Sequence, residues 1–232
     1  MYFKIYKNIH CYSFKNNAEL EDLLTNLLSN ENSKFYSIAI NAEKLIRCDE
    51  NLEFSRIVES SALPIPDGII AKYLIWRRHK VLTKRIDLPQ LVIDYSVKHN
   101  IKLGIIGSTK QNLNAAIHNI QRLYPSINVV VGLNGYEDPE FIIRSLKETK
   151  PRLLLLGLGS PRQEIMSHRI MNDEDLAVGI INCGGAIDIL SGAKKRAPKI
   201  IQFLGAETVY RLIQEPSRIK RYFSLYKIYK FL

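Results

Sequence analysis

The sequence predicts an α/β protein with a mostly parallel sheet and a basic helical appendage at its C-terminal end. Three observations carry that expectation. Short uninterrupted aliphatic runs alternate with helix-patterned segments through the middle of the chain, as strands covered on both faces by crossover helices require. Several of those runs end in glycine-containing turns. After Pro198 the composition turns basic, rich in tyrosine and helical in pattern.

Taken in order, YSIAIN (36–41) reads as a strand. KLGIIGS (102–108) is a second, followed by a helix around Gln111 to Leu123. INVVVGLN (127–134) is a third, after which Pro139 opens a helix running to about Glu148. RLLLLGLG (152–159) is a fourth, with a helix near Arg162 to Ile170, and LAVGIINCGG (176–185) is a fifth. Neither an internal repeat nor a low-complexity segment interrupts the pattern. The division falls at 1–195 for the α/β core and 196–232 for the appendage.

A hydrophobic content of 46% excludes a disordered chain. No apolar run approaches the roughly 20 residues of a membrane-spanning helix. MYFKIYKNIHCYSFKN lacks the continuous apolar centre of a signal peptide. These features predict a cytoplasmic protein that touches a membrane only from outside. Cys11, Cys48 and Cys183 show no CxxC spacing, and the five histidines form no HxxxH pair, so nothing supports a zinc site. Neither GxGxxG nor GxxxxGK[ST] occurs, which removes the dinucleotide fingerprint and the P-loop. The net charge of +10 is uneven: ten Lys and Arg from Lys194 onward face only Glu207 and Glu215. That asymmetry points to a polyanionic partner.

Parallel sheets bind ligands beyond the carboxyl ends of their strands. Glycines at Gly107, Gly132 to Gly135, Gly157 to Gly159, and Gly184 with Gly185 therefore outline one binding edge. Asp67, in PIPDG, suits a general base or an ordinary turn aspartate. Asn41 suits a cleft residue or a helix N-cap. Gln163 can hold a sugar hydroxyl or phosphate, or cap a helix together with Glu164. Asp188 can accept ribose hydroxyls or simply start a helix. The Asp-x-Asp of NDED (172–175) precedes a strand, the wrong end for a ligand. Arg211, Arg218 and Arg221 in the appendage fit a diphosphate, for which the planar guanidinium fork is suited. In the last helical piece Ile219, Phe223, Tyr226 and Phe231 fall on one side, flanked by lysines and arginines. That stripe fits either a membrane interface or core packing.

In order, the segments NAEK, PDG, GLNGY, GLGSPRQE, GGAIDILSGAKKRAP and YRLIQEPSRIKRY resemble the bacterial WecG/TagA/CpsF glycosyltransferases over about Ser37 to Tyr222. The resemblance implies a Rossmann-like core, with the appendage meeting the membrane and completing the site. It implies inverting, metal-independent transfer of a hexose, of N-acetylmannosamine type or related, from a UDP-sugar. The acceptor implied is an undecaprenyl-diphosphate-linked sugar in surface polysaccharide synthesis. No cofactor is implied. The place implied is the cytoplasmic face of the plasma membrane, against an anionic lipid surface. Asp67 matches the proposed base and Gln163 a glutamine contacting the sugar. Arg211, Arg218 and Arg221 match the arginines that hold diphosphate, and Tyr136 and Asp188 match positions near the nucleotide. Gly107, Gly184, Gly185 and Asn41 would line the same cleft. The chain departs from the family pattern at Ala39, Leu82 and Arg85, which bears on sugar selection. The rival reading is a basic nucleic-acid-binding protein on the same kind of core, although no recognisable DNA or RNA module is present. A NAD-dependent enzyme is disfavoured by the missing fingerprint.

Overall fold

The computed structural model describes residues 1–198 together with Tyr226, Lys227, Tyr229 and Phe231. Arg211, Arg218 and Arg221 lie outside the described residues, as does nearly all of the predicted appendage.

The chain opens with an antiparallel hairpin, β1 (Tyr2–Tyr6) and β2 (Ile9–Tyr12), and then α1 (Asn17–Leu27). The main sheet begins with β3 (Phe35–Ile40), α2 (Ala42–Glu50), α3 (Leu52–Glu59) and β4 (Leu63–Pro66). Next come α4 (Gly68–His79), α5 (Leu88–Lys98), β5 (Leu103–Gly107), α6 (Lys110–Leu123) and β6 (Val129–Leu133). The core closes with α7 (Pro139–Thr149), β7 (Leu153–Gly157), α8 (Arg162–Met171), β8 (Gly179–Asn182) and α9 (Ala186–Leu190). Six strands pair in parallel in the order β4-β3-β8-β7-β5-β6.

Each predicted strand has a counterpart within a few residues, and the reasons are local. Leu153, Leu154, Leu155 and Leu156 are all fully buried, so the run has no polar face to alternate. Asp138 caps α7 by accepting from the backbone of Glu140 and Phe141, with Pro139 in the first turn. β4 carries two prolines, which a central strand cannot hold. It lies at the sheet edge and pairs only with β3.

Alternating side chains build two cores. Tyr36, Ile38, Ile40, Leu154, Leu156 and Ile180 face α2, α3, α4, α7 and α8. Phe35, Leu63, Leu103, Leu153, Leu155 and Ile181 face α1, α5, α6 and α9. β5 leads through α6 to one edge of the sheet, whereas β7 leads through α8 towards the other. The two helices leave on opposite faces, so the ends of β5 and β7 flank the crevice where such sheets take ligands.

The described residues near the C-terminus divide the aromatic stripe. Phe231 is 3% exposed and packs edge-on against Tyr6, with ring centroids 4.4 Å apart. Lys227 pairs with Glu50 at the end of α2. Phe231 is thus a core residue, while Tyr226 and Tyr229 face solvent.

Candidate active site

The carboxyl edge of the sheet gathers the core residues that the sequence proposed for a ligand site. Asn41 follows β3, Asp67 follows β4 and Gly107 ends β5. Tyr136 lies beyond β6, Gln163 beyond β7, and Gly184, Gly185 and Asp188 beyond β8. The structure separates them into groups that face outward and groups held by the protein itself.

Asp67 stands at the head of α4, exposed, and its carboxylate makes no capping hydrogen bond. Its backbone N–H donates to Ile40 O at 2.7 Å, which ties the β4 turn to the neighbouring β3 turn. Gly68 follows with φ +75°, and a Cβ there would meet nothing within 4 Å. The backbone leaves open space beside the carboxylate. Asn41, one strand away, is the N-cap of α2, its Oδ1 accepting from Lys44 N at 3.0 Å. Its side-chain carbonyl therefore caps a helix.

Gln163 differs from the sequence expectation of an amide projecting into the cleft. It is 3% exposed. Its Oε1 accepts from Gly184 N at 3.1 Å, and its Nε2 donates to Glu164 Oε1 at 3.0 Å. The amide clamps the β8 turn to the start of α8. Glu164 is completely buried and pairs with Lys44 Nζ at 3.2 Å, while its Oε2 has no hydrogen-bond partner. This buried pair under the edge went unnoticed in the sequence. So did Asn182, whose Nδ2 donates to Ser37 O and whose Oδ1 accepts from Ser167.

The turn glycines also divide. A Cβ on Gly107 would lie 2.5 Å from Gly157 O, and one on Gly157 would lie 2.7 Å from Gly184 O. These two glycines serve backbone-to-backbone packing between adjacent turns, not open approach by a ligand. Gly185 is exposed with free space about it, and Gly184 takes φ +52°. Tyr136 is 73% exposed on the neighbouring rim. Arg162 lies 5.8 Å from its ring centroid and donates to Gly135 O at 2.8 Å.

Asp188 is engaged on three sides. Lys194 pairs with Oδ2 at 2.8 Å, Asn112 donates to Oδ1 at 3.1 Å, and Ser108 donates to the same oxygen. Burial works to raise its pKa; the bonds from Lys194, Ser108 and Asn112 outweigh it and hold the carboxyl below its ordinary value. The residue laces the β5 turn, α6 and the chain after α9 together. Burial pushes the adjacent Cys183 thiol up to about 12. At the opposite edge Asp173 and Asp175 both hold Lys147, at 3.0 and 2.8 Å. Among the described residues no cluster of three His, Cys, Asp or Glu is arranged to hold a metal ion.

The edge thus offers a solvent-facing carboxylate at one side and the β5/β7 switch point, beside the exposed Tyr136, at the other. Strand spacing separates Asp67 from β7 by three intervals, roughly 14 Å. The family described as "Glycosyl transferase WecG/TagA/CpsF family" matches residues 7–232, which include β2, the whole six-stranded sheet and the C-terminal segment. The chain belongs to this glycosyltransferase family, whose members transfer sugars in the making of cell-surface polysaccharides.

Proposed function

We propose that this protein is an inverting transferase that moves a hexose, of N-acetylmannosamine type or related, from a UDP-sugar to an undecaprenyl-diphosphate-linked sugar. The observation that carries the reading is Asp67: an exposed, uncapped carboxylate at the carboxyl edge, beside the open backbone of Gly68. In the reaction the acceptor hydroxyl oxygen attacks the anomeric carbon and its proton passes to Asp67. The bond from that carbon to the diphosphate breaks, and UDP departs with the electron pair. One base on the attacking side suffices, because inversion needs no enzyme-bound intermediate.

The nucleotide occupies the β5/β7 crevice, with Tyr136 and the Gly184–Gly185 turn about it. Gln163 acts by fixing that turn. Arg211, Arg218 and Arg221 neutralise the developing charge on the diphosphate, a task that preorganised cations perform without a metal ion. The protein works on the cytoplasmic face of the plasma membrane, where its acceptor is anchored.

The test is Asp67→Asn, assayed for sugar transfer and, separately, for UDP binding. Transfer falls by two to four orders of magnitude, the usual worth of general-base catalysis, while UDP affinity is retained. Turnover within a few-fold of the parent protein removes Asp67 from the mechanism.

A further inference from the structure

We propose that α4 and the loop 80–86 form a docking surface for anionic lipid, which holds Asp67 at the membrane–water boundary. The inference rests on the reading above that the acceptor is lipid-borne, and it places a membrane contact in the core, apart from the C-terminal segment.

Helix α4 is apolar on both sides. Ala71, Leu74 and Ile75 are fully buried against the sheet and hairpin. On the opposite side Ile69, Tyr73 and Trp76, spaced i, i+4 and i+7, are 63%, 38% and 44% exposed. These three fall within one narrow stripe of a 3.6-residue helix. The rings of Tyr73 and Trp76 lie 5.9 Å apart, and Leu82 in the following loop is 83% exposed. An exposed apolar stripe opposite a buried face marks a second contact surface.

The charges identify what it meets. Between Gly68 and Ile86 there are six Lys and Arg (Lys72, Arg77, Arg78, Lys80, Lys84, Arg85) and no acid. By helical position Lys72 and Arg77 flank the stripe on its two sides. Lys80 Nζ lies 5.1 Å from the centroid of the Trp76 ring. Tryptophan and tyrosine between cations and exposed aliphatics are the composition of a helix lying in a headgroup layer. A second copy of the chain would set these cations against their own kind. An RNA would leave Ile69 and Leu82 against phosphate with no apolar partner. Asp67 immediately precedes the helix, so a membrane covering the stripe brings its lipid-linked hydroxyls to that carboxylate.

Trp76 is the single tryptophan of the chain and reports directly. With the full-length protein, phosphatidylglycerol vesicles shift its emission to shorter wavelength, and brominated acyl chains quench it. Phosphatidylcholine vesicles at equal concentration do far less. Arg77→Gln with Lys80→Gln weakens partitioning on the order of tenfold or more, since each cation near an anionic surface is worth about fivefold. Ile69→Ser with Tyr73→Ser weakens it as well, with Trp76 kept as the probe. Vesicle binding that leaves Trp76 unquenched overturns the proposal, and so does no vesicle binding at all. A lipid-free emission shift accompanied by dimerisation assigns the face to a second copy; a shift with single-stranded RNA but not vesicles assigns it to nucleic acid. None of these readings needs sugar transfer. Failure of the Asp67 test therefore leaves the docking result standing, and an unquenched Trp76 in an active transferase sinks docking alone.

Discussion

Replacing Lys44 with methionine tests whether the buried pair beneath the edge holds the site together. The Lys44 side chain is 6% exposed and that of Glu164 is not exposed at all, with 3.2 Å between the charged atoms. Glu164 has one further donor, Gln163, and an Oε2 with none. Lys44→Met therefore strands a carboxylate in the interior, and breaking a buried pair in this way costs about 3–5 kcal/mol. For a chain of this size the urea dependence of stability is about 2–3 kcal/mol per molar, so the midpoint falls by about 1–2.5 M. Lys98→Met, at the exposed pair with Glu21, moves the midpoint little and serves as the control. Replacing both residues, Lys44→Met with Glu164→Met, recovers much of the loss, because the uncompensated charge goes with its partner. Equilibrium urea unfolding followed by far-UV circular dichroism reads all three. A Lys44→Met midpoint no lower than that of Lys98→Met refutes the reasoning, as does a double variant as unstable as the sum of its parts.

The glycines offer a matched comparison: Gly157→Ala forces a methyl to 2.7 Å from Gly184 O and lowers stability by about 1–3 kcal/mol, whereas Gly185→Ala meets open space and leaves the urea midpoint in place. Gln163→Ala leaves the Gly184 N–H without its partner and costs about 1–3 kcal/mol, while Asp67→Asn, on an exposed side chain, leaves the urea midpoint unchanged. The pKa of Asp188 is lowered from 3.8 on folding, so its stabilising contribution is complete above that value and disappears as pH falls through the lower folded value. Asp188→Asn is accordingly less stable than the parent at pH 7, and thermal unfolding shows the two converging in the acid range below 3.8.

How far the fold could be read in advance depended on whether the signal was local. β5, β7 and β8 declare themselves because a strand buried on both faces is aliphatic throughout, and α7 because Asp138 and Pro139 mark its start. α4 gives no amphipathic period, since Ile69, Tyr73 and Trp76 are as apolar as the buried Leu74 and Ile75. β4 is four residues long with two prolines, and resembles a loop until β3 is placed beside it. The hairpin is short and dotted with lysine and asparagine, and its order comes from packing against α4 and β4. Within the site the positions were legible and most of the contacts were not. Each strand is followed at once by its own loop, so Asn41 and Gln163 mark the edge by sequence alone, whereas Asp67 was singled out by its PIPDG turn and takes its place on the edge only once β4 is seen. The partner of Glu164 is on α2, and Asn182 bonds to Ser37, 145 residues away. No spacing rule reaches across such separations. Lys44 in particular reads as an ordinary exposed helix charge.

That separation orders the residues of the edge by the work left for them. Gln163, Asn182, Glu164 and Asp188 meet their hydrogen bonds largely inside the protein. Groups satisfied in this way hold turns at fixed positions and have little bonding capacity to give a substrate. Asp67, Gly185 and Tyr136 remain exposed to water, and of these only Asp67 carries a carboxylate. The same edge thus has a rigid half, knotted from β5 to β8, and an open half at β4 where the carboxylate stands. The open half is continuous with the exposed stripe of α4. Under the proposed function the nucleotide donor reaches the β5/β7 end from solvent, whereas a lipid-tethered acceptor comes from the side that touches the bilayer. The uncapped carboxylate at the head of α4 stands on that second side.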